Sequence, residues 1–341
     1  MSKRKIYTFF ISTGIMLAIL NFIKLPYFLN LPGDAYELAP IVKVEGGDAA
    51  SGKFMMTTVG VSRGEINVLT YLWAQVAPHH DLIPSENMRP VGESDKEYYY
   101  RQLHMMDMSQ NVATAVAYEK AGKQIEYQYN GVFVMSLIEG MDAENKLEIG
   151  DRIFKVEGNP LESSEQFIGY VEKMNAGDQL ELSLERNGEE LTREVKISPF
   201  PSDPDKFGVG ISLVTDREID VEPEVTIDAS AVGGPSAGLM FTLEIYNQLT
   251  SGDLTSGYKI AGTGTINYDG VVGPIGGISH KIIAAKRAGA SYFLAPVASS
   301  NYTDAKNTAE EIGTEMKVIP VDSLDDAIKF LQTLQQKGKN Q

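Results

Sequence analysis

The chain has no cysteine, one tryptophan and four histidines in 341 residues. Without a thiol there are no disulfides, no thiolate metal sites and no cysteine nucleophile. Positive charge is scarce: 30 Lys and Arg stand against 46 Asp and Glu, for a formal charge of -16. Most of such a surface repels phosphate backbones, so nucleic acid is not expected as a partner. No Gly-x-x-x-x-Gly-Lys-Ser/Thr phosphate loop occurs, which removes the commonest nucleotide site. His79, His80 and His104 lack ligand spacing with any carboxylate pattern, so neither a metal nor another cofactor is expected. Long hydrophobic runs are missing as well, with one exception.

The exception is Ile6 to Ile23, uncharged, with Asn21 its one strongly polar residue and Lys3, Arg4 and Lys5 before it. That length predicts a transmembrane helix over 6–23. The basic flank predicts a cytoplasmic tail at 1–5 and an extracytoplasmic remainder, a single-pass cell-membrane protein. A cleaved signal peptide is the competing reading, but no small-x-small cleavage site follows, and Lys24-Leu25-Pro26-Tyr27-Phe28 is poorly suited to cleavage.

A chain this long suits two modest domains, at about 100 to 200 residues each. Over 36–122 the sequence predicts folded material: strands at Ile41 to Glu45 and Lys53 to Val61, a stretch broken by Pro78, Pro84 and Pro90, and a helix from Asp95 to Lys120. From 125 to 199 a different rhythm takes over. Gly131-Val132-Phe133-Val134 reads as a strand, Gly150 to Val156 as turn plus strand, and Glu165 to Met174 as a helix. Two alternating runs, 180–185 and 191–197, flank Asn187-Gly188, a hairpin turn because both residues tolerate positive φ. The pattern Gly-Val-x-Val followed by Gly150-Asp151-x-Ile153-x-x-Val156-x-Gly158 resembles a PDZ domain of the bacterial protease type. Such a β-rich, partly open barrel binds an extended peptide at a sheet edge. The resemblance places that edge at Tyr129, Asn130, Gly131, Val132 and Phe133; a degenerate module acting as a spacer is the alternative.

After Pro199-Phe200-Pro201-Ser202-Asp203-Pro204, strands at Val209 to Val214 and Glu224 to Ile227 are predicted. Helices and strands then alternate to residue 335, an α/β pattern. Gly233-Gly234-Pro235-Ser236-Ala237-Gly238 puts a serine where a helix is predicted to begin, beside free amides that can stabilise an oxyanion. A helix cap is the plainer reading of Ser236. In the helix from Ile278, Lys281 shares the apolar arc of Ile278, Ile282, Ala284, Ala285 and Ala288, while Ser279, His280, Lys286 and Arg287 take the other side. Burial of a lysine disfavours its charged form and turns it toward a base; snorkelling to the surface is the alternative.

Together the two runs resemble the proteolytic domain of Lon proteases over 203–335. The matching motifs are Gly234-Pro235-Ser236-Ala237-Gly238, Thr263-Gly264-x-Ile266, Gly270 to Gly277, Lys281, and Ala284-Ala285-Lys286-Arg287-Ala288-Gly289. The resemblance implies Ser236 as nucleophile and Lys281 as general base, with Thr263 orienting the lysine. Gly234, Pro235, Ser236 and Ala237 would supply the oxyanion backbone. With the anchor, it extends to the membrane-anchored, PDZ-containing Lon-like serine proteases of Gram-positive bacteria, in which a PDZ domain is inserted in the α/β (α+β) proteolytic domain. It implies an ATP-independent endopeptidase acting on peptides or unfolded segments, without nucleotide, and leaves oligomerisation open. His280 departs from the acidic residue usual in Lon at that position.

Three other arrangements compete. Gly234 to Gly238 also fits Gly-x-Ser-x-Gly, with Asp253 or Asp269 and His280 as partners, but the spacing is too short for the βα units of an α/β-hydrolase. Ser256-Gly257-Tyr258-Lys259 fits Ser-x-x-Lys but leads into a strand. The third is a non-catalytic PDZ adaptor on a protease-like scaffold.

Overall fold

The computed structural model describes residues 3–89, 93–201, 203–229 and 232–338. It opens with α1 (Lys3–Phe22), β1 (Tyr27–Glu37), β2 (Val42–Val44), β3 (Lys53–Val61), α2 (Val68–Ala74), β4 (Asp81–Pro84), α3 (Ser85–Met88) and α4 (Asp95–Lys120). The middle runs β5 (Ile125–Leu137), β6 (Arg152–Val156), β7 (Asn159–Pro160), α5 (Ser164–Val171), β8 (Gln179–Arg186), β9 (Glu189–Lys196), β10 (Ser198–Phe200), β11 (Asp203–Gly208) and β12 (Ile211–Val221). The last part is β13 (Val225–Ile227), α6 (Gly238–Leu249), β14 (Lys259–Gly262), β15 (Thr265–Ile266), β16 (Val272–Gly273), α7 (Ile278–Arg287), β17 (Tyr292–Pro296), α8 (Asn301–Glu311), β18 (Lys317–Val321) and α9 (Leu324–Gly338).

A six-stranded mixed sheet, ordered β18-β17-β14-β3-β1-β4, carries the larger unit. The N-terminal strands β1, β3 and β4 share it with β14, β17 and β18, so segments on both sides of the middle module build one domain. β3 sits inside the sheet, parallel to β14 and antiparallel to β1. Successive strand side chains point to opposite faces, and β3 uses both. Phe54 and Met56 join a core with Leu243, Ile260, Leu294 and Leu331, under α4, α6 and α9. Met55 joins Ile278, Ile282, Phe293 and Ala305, under α7 and α8. α4 begins with a capping box, in which the Ser94 hydroxyl accepts from the Glu97 amide and the Glu97 carboxylate accepts from the Ser94 amide.

The second unit is a sheet ordered β12-β5-β6-β8-β9, with β7 on β6, closed over Val132, Val134, Ile153, Phe167 and Leu182. Asn187 and Gly188 have φ of 53° and 81°, as the hairpin joining β8 to β9 requires. β12 departs from the sequence expectation. It is longer than the strand read at 209–214, and it pairs with β5 from Leu137 to Ile125 rather than standing with the strands of the larger unit. A period-two pattern reports which face of a strand is buried, not which sheet accepts it.

The N-terminus also differs. Residues 1 and 2 of the predicted tail lie outside the described residues, as does Pro90. The stretch read as a spanning segment forms α1, but among the described residues no helix is long and apolar enough to cross a membrane. Thr8, Ser12, Thr13, Gly14 and Asn21 dilute its apolar character, and Asn21 accepts a hydrogen bond from the Asn67 side chain at 2.9 Å.

Candidate active site

Helix α6 begins at Gly238, two residues later than the sequence predicts, so Pro235 and Ser236 lie in the turn leading into it. That turn rests on α4. The Gly234 amide donates to the Gln102 carbonyl at 2.7 Å, and the Ser109 hydroxyl donates to the Pro235 carbonyl at 3.1 Å. A side chain at Gly233 would meet Gln102 Cβ at 3.0 Å, and Gly234 holds φ at 87°, which explains why two glycines precede the serine. On the other side, Gly264 N–H and Thr263 Oγ1–H both donate to the Ser236 carbonyl, each at 2.9 Å. The run read as one strand from Ile260 to Ile266 is interrupted at Thr263-Gly264, and the interruption is what holds the serine.

Lys281 comes from α7. Its entry turn ends on Gly277 at φ 68°, where a Cβ would lie 2.7 Å from Val59 on β3, so glycine lets the helix approach the sheet. Lys281 is 3% exposed. Its Nζ donates to the Thr57 carbonyl at 2.7 Å and lies 2.9 Å from Ser236 Oγ. No carboxylate pairs with it among the described residues. Burial without a counter-ion pushes its pKa from 10.5 down to about 7, so that the neutral amine is abundant near neutral pH.

The structure thus brings Ser236, Lys281 and Thr263 together, with one change of role. The Thr263 hydroxyl is directed at the serine backbone, and the group that orients the lysine is the Thr57 carbonyl. Of the four residues expected to supply the oxyanion backbone, Pro235 has no N–H and the Gly234 amide is taken by Gln102. Among the described residues, the amides of Ser236 and Ala237 carry no hydrogen bond and remain available. Thr57, Gln102 and Ser109 escaped the sequence reading. Thr57 acts through its backbone, which leaves no side-chain signal, while Ser109 is a buried polar residue on an otherwise apolar helix face.

His280 is not on a polar face: it is 2% exposed, with Nε2 3.0 Å from the Asp81 carboxylate. Burial lowers its pKa against the opposing pull of Asp81. Helix periodicity alone did not foresee that Asp81, at the start of β4, reaches this side of α7. The hydrolase triad is not assembled. His280 faces Asp81, Asp253 is bound to Ser51 and Thr255, and Asp269 lies in the turn after Asn267. Lys259 donates to the Ala288 carbonyl, away from Ser256.

Comparison with known proteins identifies two domain families in the chain. The family model for the Lon protease (S16) C-terminal proteolytic domain matches residues 194–334, and that for the PDZ domain matches 120–197. The chain carries a Lon-type proteolytic domain and a PDZ domain. The Lon protease of Campylobacter concisus is 38% identical over 128 residues, and that of Phenylobacterium zucineum 33% over 136 residues. These spans are 37% and 40% of this chain but 15% and 16% of the relatives, so the chain covers only a small part of their length. The PDZ domain of an SdrC-like protein from Listeria monocytogenes is 30% identical, covering 26% of this chain and 90% of that one, with a TM-score of 0.24.

The PDZ edge expected at Tyr129 to Phe133 is not free. Val132 pairs with Thr215 on one side and Ile153 on the other, and Phe133 with Val214 and Arg152. Tyr129 pairs with Arg217, whose guanidinium lies over the rings of Tyr127, Tyr129 and Tyr268. An added strand needs an unpaired edge. The edge strands here are β12 and β9, and between β12 and α5 lies a cavity of about 560 Å³ lined by Phe167, Ile168, Val171, Phe207, Ile211 and Leu213.

Proposed function

We propose that this protein is an ATP-independent serine endopeptidase working through a Ser236–Lys281 dyad. The observation that carries the reading is a lysine amine, buried and without a counter-ion, 2.9 Å from a serine hydroxyl in a glycine turn. Neutral Lys281 accepts the proton of Ser236 Oγ as the oxygen attacks a peptide carbonyl. The amides of Ser236 and Ala237 receive the developing oxyanion. Lys281 then passes its proton to the leaving amine, and as a neutral base again it activates the water that releases the acyl group. Thr263 and Gly264 keep the serine backbone in place during both steps.

A fluorophosphonate probe tests the dyad. Wild-type protein is expected to be labelled, and Ser236→Ala and Lys281→Ala to lose both labelling and peptide cleavage, while His280→Asn keeps them. Full cleavage by either dyad variant would overturn the reading.

The PDZ unit is read as the recruiting module, taking an extended peptide along β12 with apolar side chains against α5. Substrates are therefore peptides or unfolded segments that reach both sites. In this proposal the catalytic part lies outside the cell, held at the membrane surface by the exposed apolar side chains of α1 rather than by a spanning helix. In support, Phe9, Phe10, Ile11, Ile15 and Ile19 are all more than half exposed on α1, and water is a poor solvent for such a surface. The absence of native cysteine gives a clean test. A single cysteine at Gln335 should react with a membrane-impermeant maleimide in intact cells, and protection until lysis would contradict the placement.

A further inference from the structure

A second large cavity, of about 740 Å³, lies where the two domains meet beside the nucleophile turn. The catalytic side supplies Met105, Met108 and Val112 from α4, with Pro235 and Ile266 beside Ser236. The PDZ side supplies Met135 and Ser136 from β5, and Ser212 and Val214 from β12. The β5–β12 register explains that wall. Ser136 pairs with Ser212 and Val134 with Leu213, so Met135 is an extra residue, a β-bulge. A bulge re-aims side chains, and here two consecutive residues of β5, Met135 and Ser136, line the same cavity. Met105, Met108, Val112, Val214 and Ile266 make part of the lining apolar. At the mouth stand Arg89, ion-paired with Asp95, and Arg101, whose guanidinium donates two hydrogen bonds to Glu93 at 2.7 and 2.9 Å. Those two charges are spent on neighbouring carboxylates, so apolar recognition comes from the methionines with Val112, Val214 and Ile266, beside the polar Glu86 and Asn87.

The position of this cavity ties it to the reaction. Pro235, in its lining, immediately precedes Ser236, and its carbonyl is held by Ser109, another lining residue. Methionine is flexible and polarisable, and walls built from it adapt to varied apolar side chains. We infer that this cavity receives a bulky apolar side chain (Leu, Met or Phe) flanking the scissile bond, and that the PDZ domain, through Met135, Ser136 and Ser212, forms one wall of this specificity pocket. The inference rests on the proteolytic reading above. It gives the PDZ unit a second task beyond recruitment: its seating against α4 sets which bonds are cut.

The test is a peptide library, varied at the two positions flanking the scissile bond, read on full-length wild-type protein, Ser212→Trp and Met135→Ala. Ser212 is exposed, so its tryptophan fills the cavity mouth without disturbing a core. Wild-type protein should prefer Leu, Met or Phe over Ala at one flanking position. Ser212→Trp should cut kcat/KM for the bulky substrates about ten- to a hundredfold more than for the Ala peptide, since even a methylene-scale misfit in an apolar pocket reaches that size of effect. Met135→Ala should shift preference toward Phe. Fluorophosphonate labelling of Ser236, measured in parallel, should persist in both variants. With labelling intact, an unchanged profile, or an equal loss on all peptides, would overturn the pocket alone. Absence of labelling in wild-type protein would overturn the proteolytic reading and the pocket with it.

Discussion

Both domains bury a charged side chain, and they treat it in opposite ways. In the PDZ unit Asp151 is 1% exposed, and its carboxylate accepts from Arg186 Nε and Nη2 at 2.6 and 2.7 Å and from the Glu148 amide at 2.8 Å. In the catalytic unit Lys281 is 3% exposed and meets a carbonyl and a hydroxyl, with no opposite charge. A compensated buried ion holds a loop in place; an uncompensated one gives up its proton. The difference separates architecture from chemistry: the Asp151 pair fixes the turn into β6, while in the proposed mechanism Lys281 serves as the base.

The largest effect that would break the comparison is at the lysine. Lys281→Met should lower kcat/KM by at least about a thousandfold, as loss of a catalytic base does in a unit acting as one. The same change should raise stability, because it removes a desolvated amine. The sign follows from protonation. Folded Lys281 gives up its proton near pH 7, whereas unfolded it does so near 10.5, so the unfolded chain binds more protons between these values. Wild-type stability should therefore rise with pH across that window, with the full penalty present below about pH 7. Denaturant titrations at several pH values should show this slope in wild-type protein and not in Lys281→Met.

The mirror-image change comes next. Asp151→Ala leaves the Arg186 guanidinium without its main partner and should destabilise the PDZ unit by about 3 kcal/mol, the scale of breaking a buried pair. Thermal unfolding should reveal it, while fluorophosphonate labelling of Ser236 persists. If Asp151→Ala proved neutral and Lys281→Met destabilising, the contrast between the two burials would be reversed.

A smaller effect sharpens the same contrast. Thr263→Val removes one of two hydrogen bonds to the Ser236 carbonyl and should cost about 1 kcal/mol, roughly fivefold in kcat/KM. The midpoint of the pH–rate profile should stay in place, because Thr263 touches the serine rather than the lysine. A shift of that midpoint would instead restore the lysine-orienting role the sequence suggested.

Much of the PDZ unit was legible because its information is local. Alternation in β8 and β9, the Asn187-Gly188 turn and the Gly150-Asp151 entry each lie within a few residues. The seating of β12 on β5 was not, since the two strands are separated by the whole module and no short-range pattern specifies their register. The meeting of Ser236 and Lys281 was legible through motif and through the helical placement of Lys281. Its supports came partly from α4 and β3, far away in sequence, and acted through backbone atoms of Thr57 and Gln102 that any residue type supplies. His280 was misplaced because a helical wheel reports the face of one helix and knows nothing of a residue such as Asp81 brought against it from another element.

The central claim is that Lys281 is neutral when it meets Ser236, and the most direct measurement is an NMR titration of the Lys281 side-chain amine in the folded full-length protein. A midpoint near pH 7 is expected, with the same midpoint in the acid limb of the kcat/KM profile. A midpoint near the ordinary lysine value of about 10.4 would contradict it.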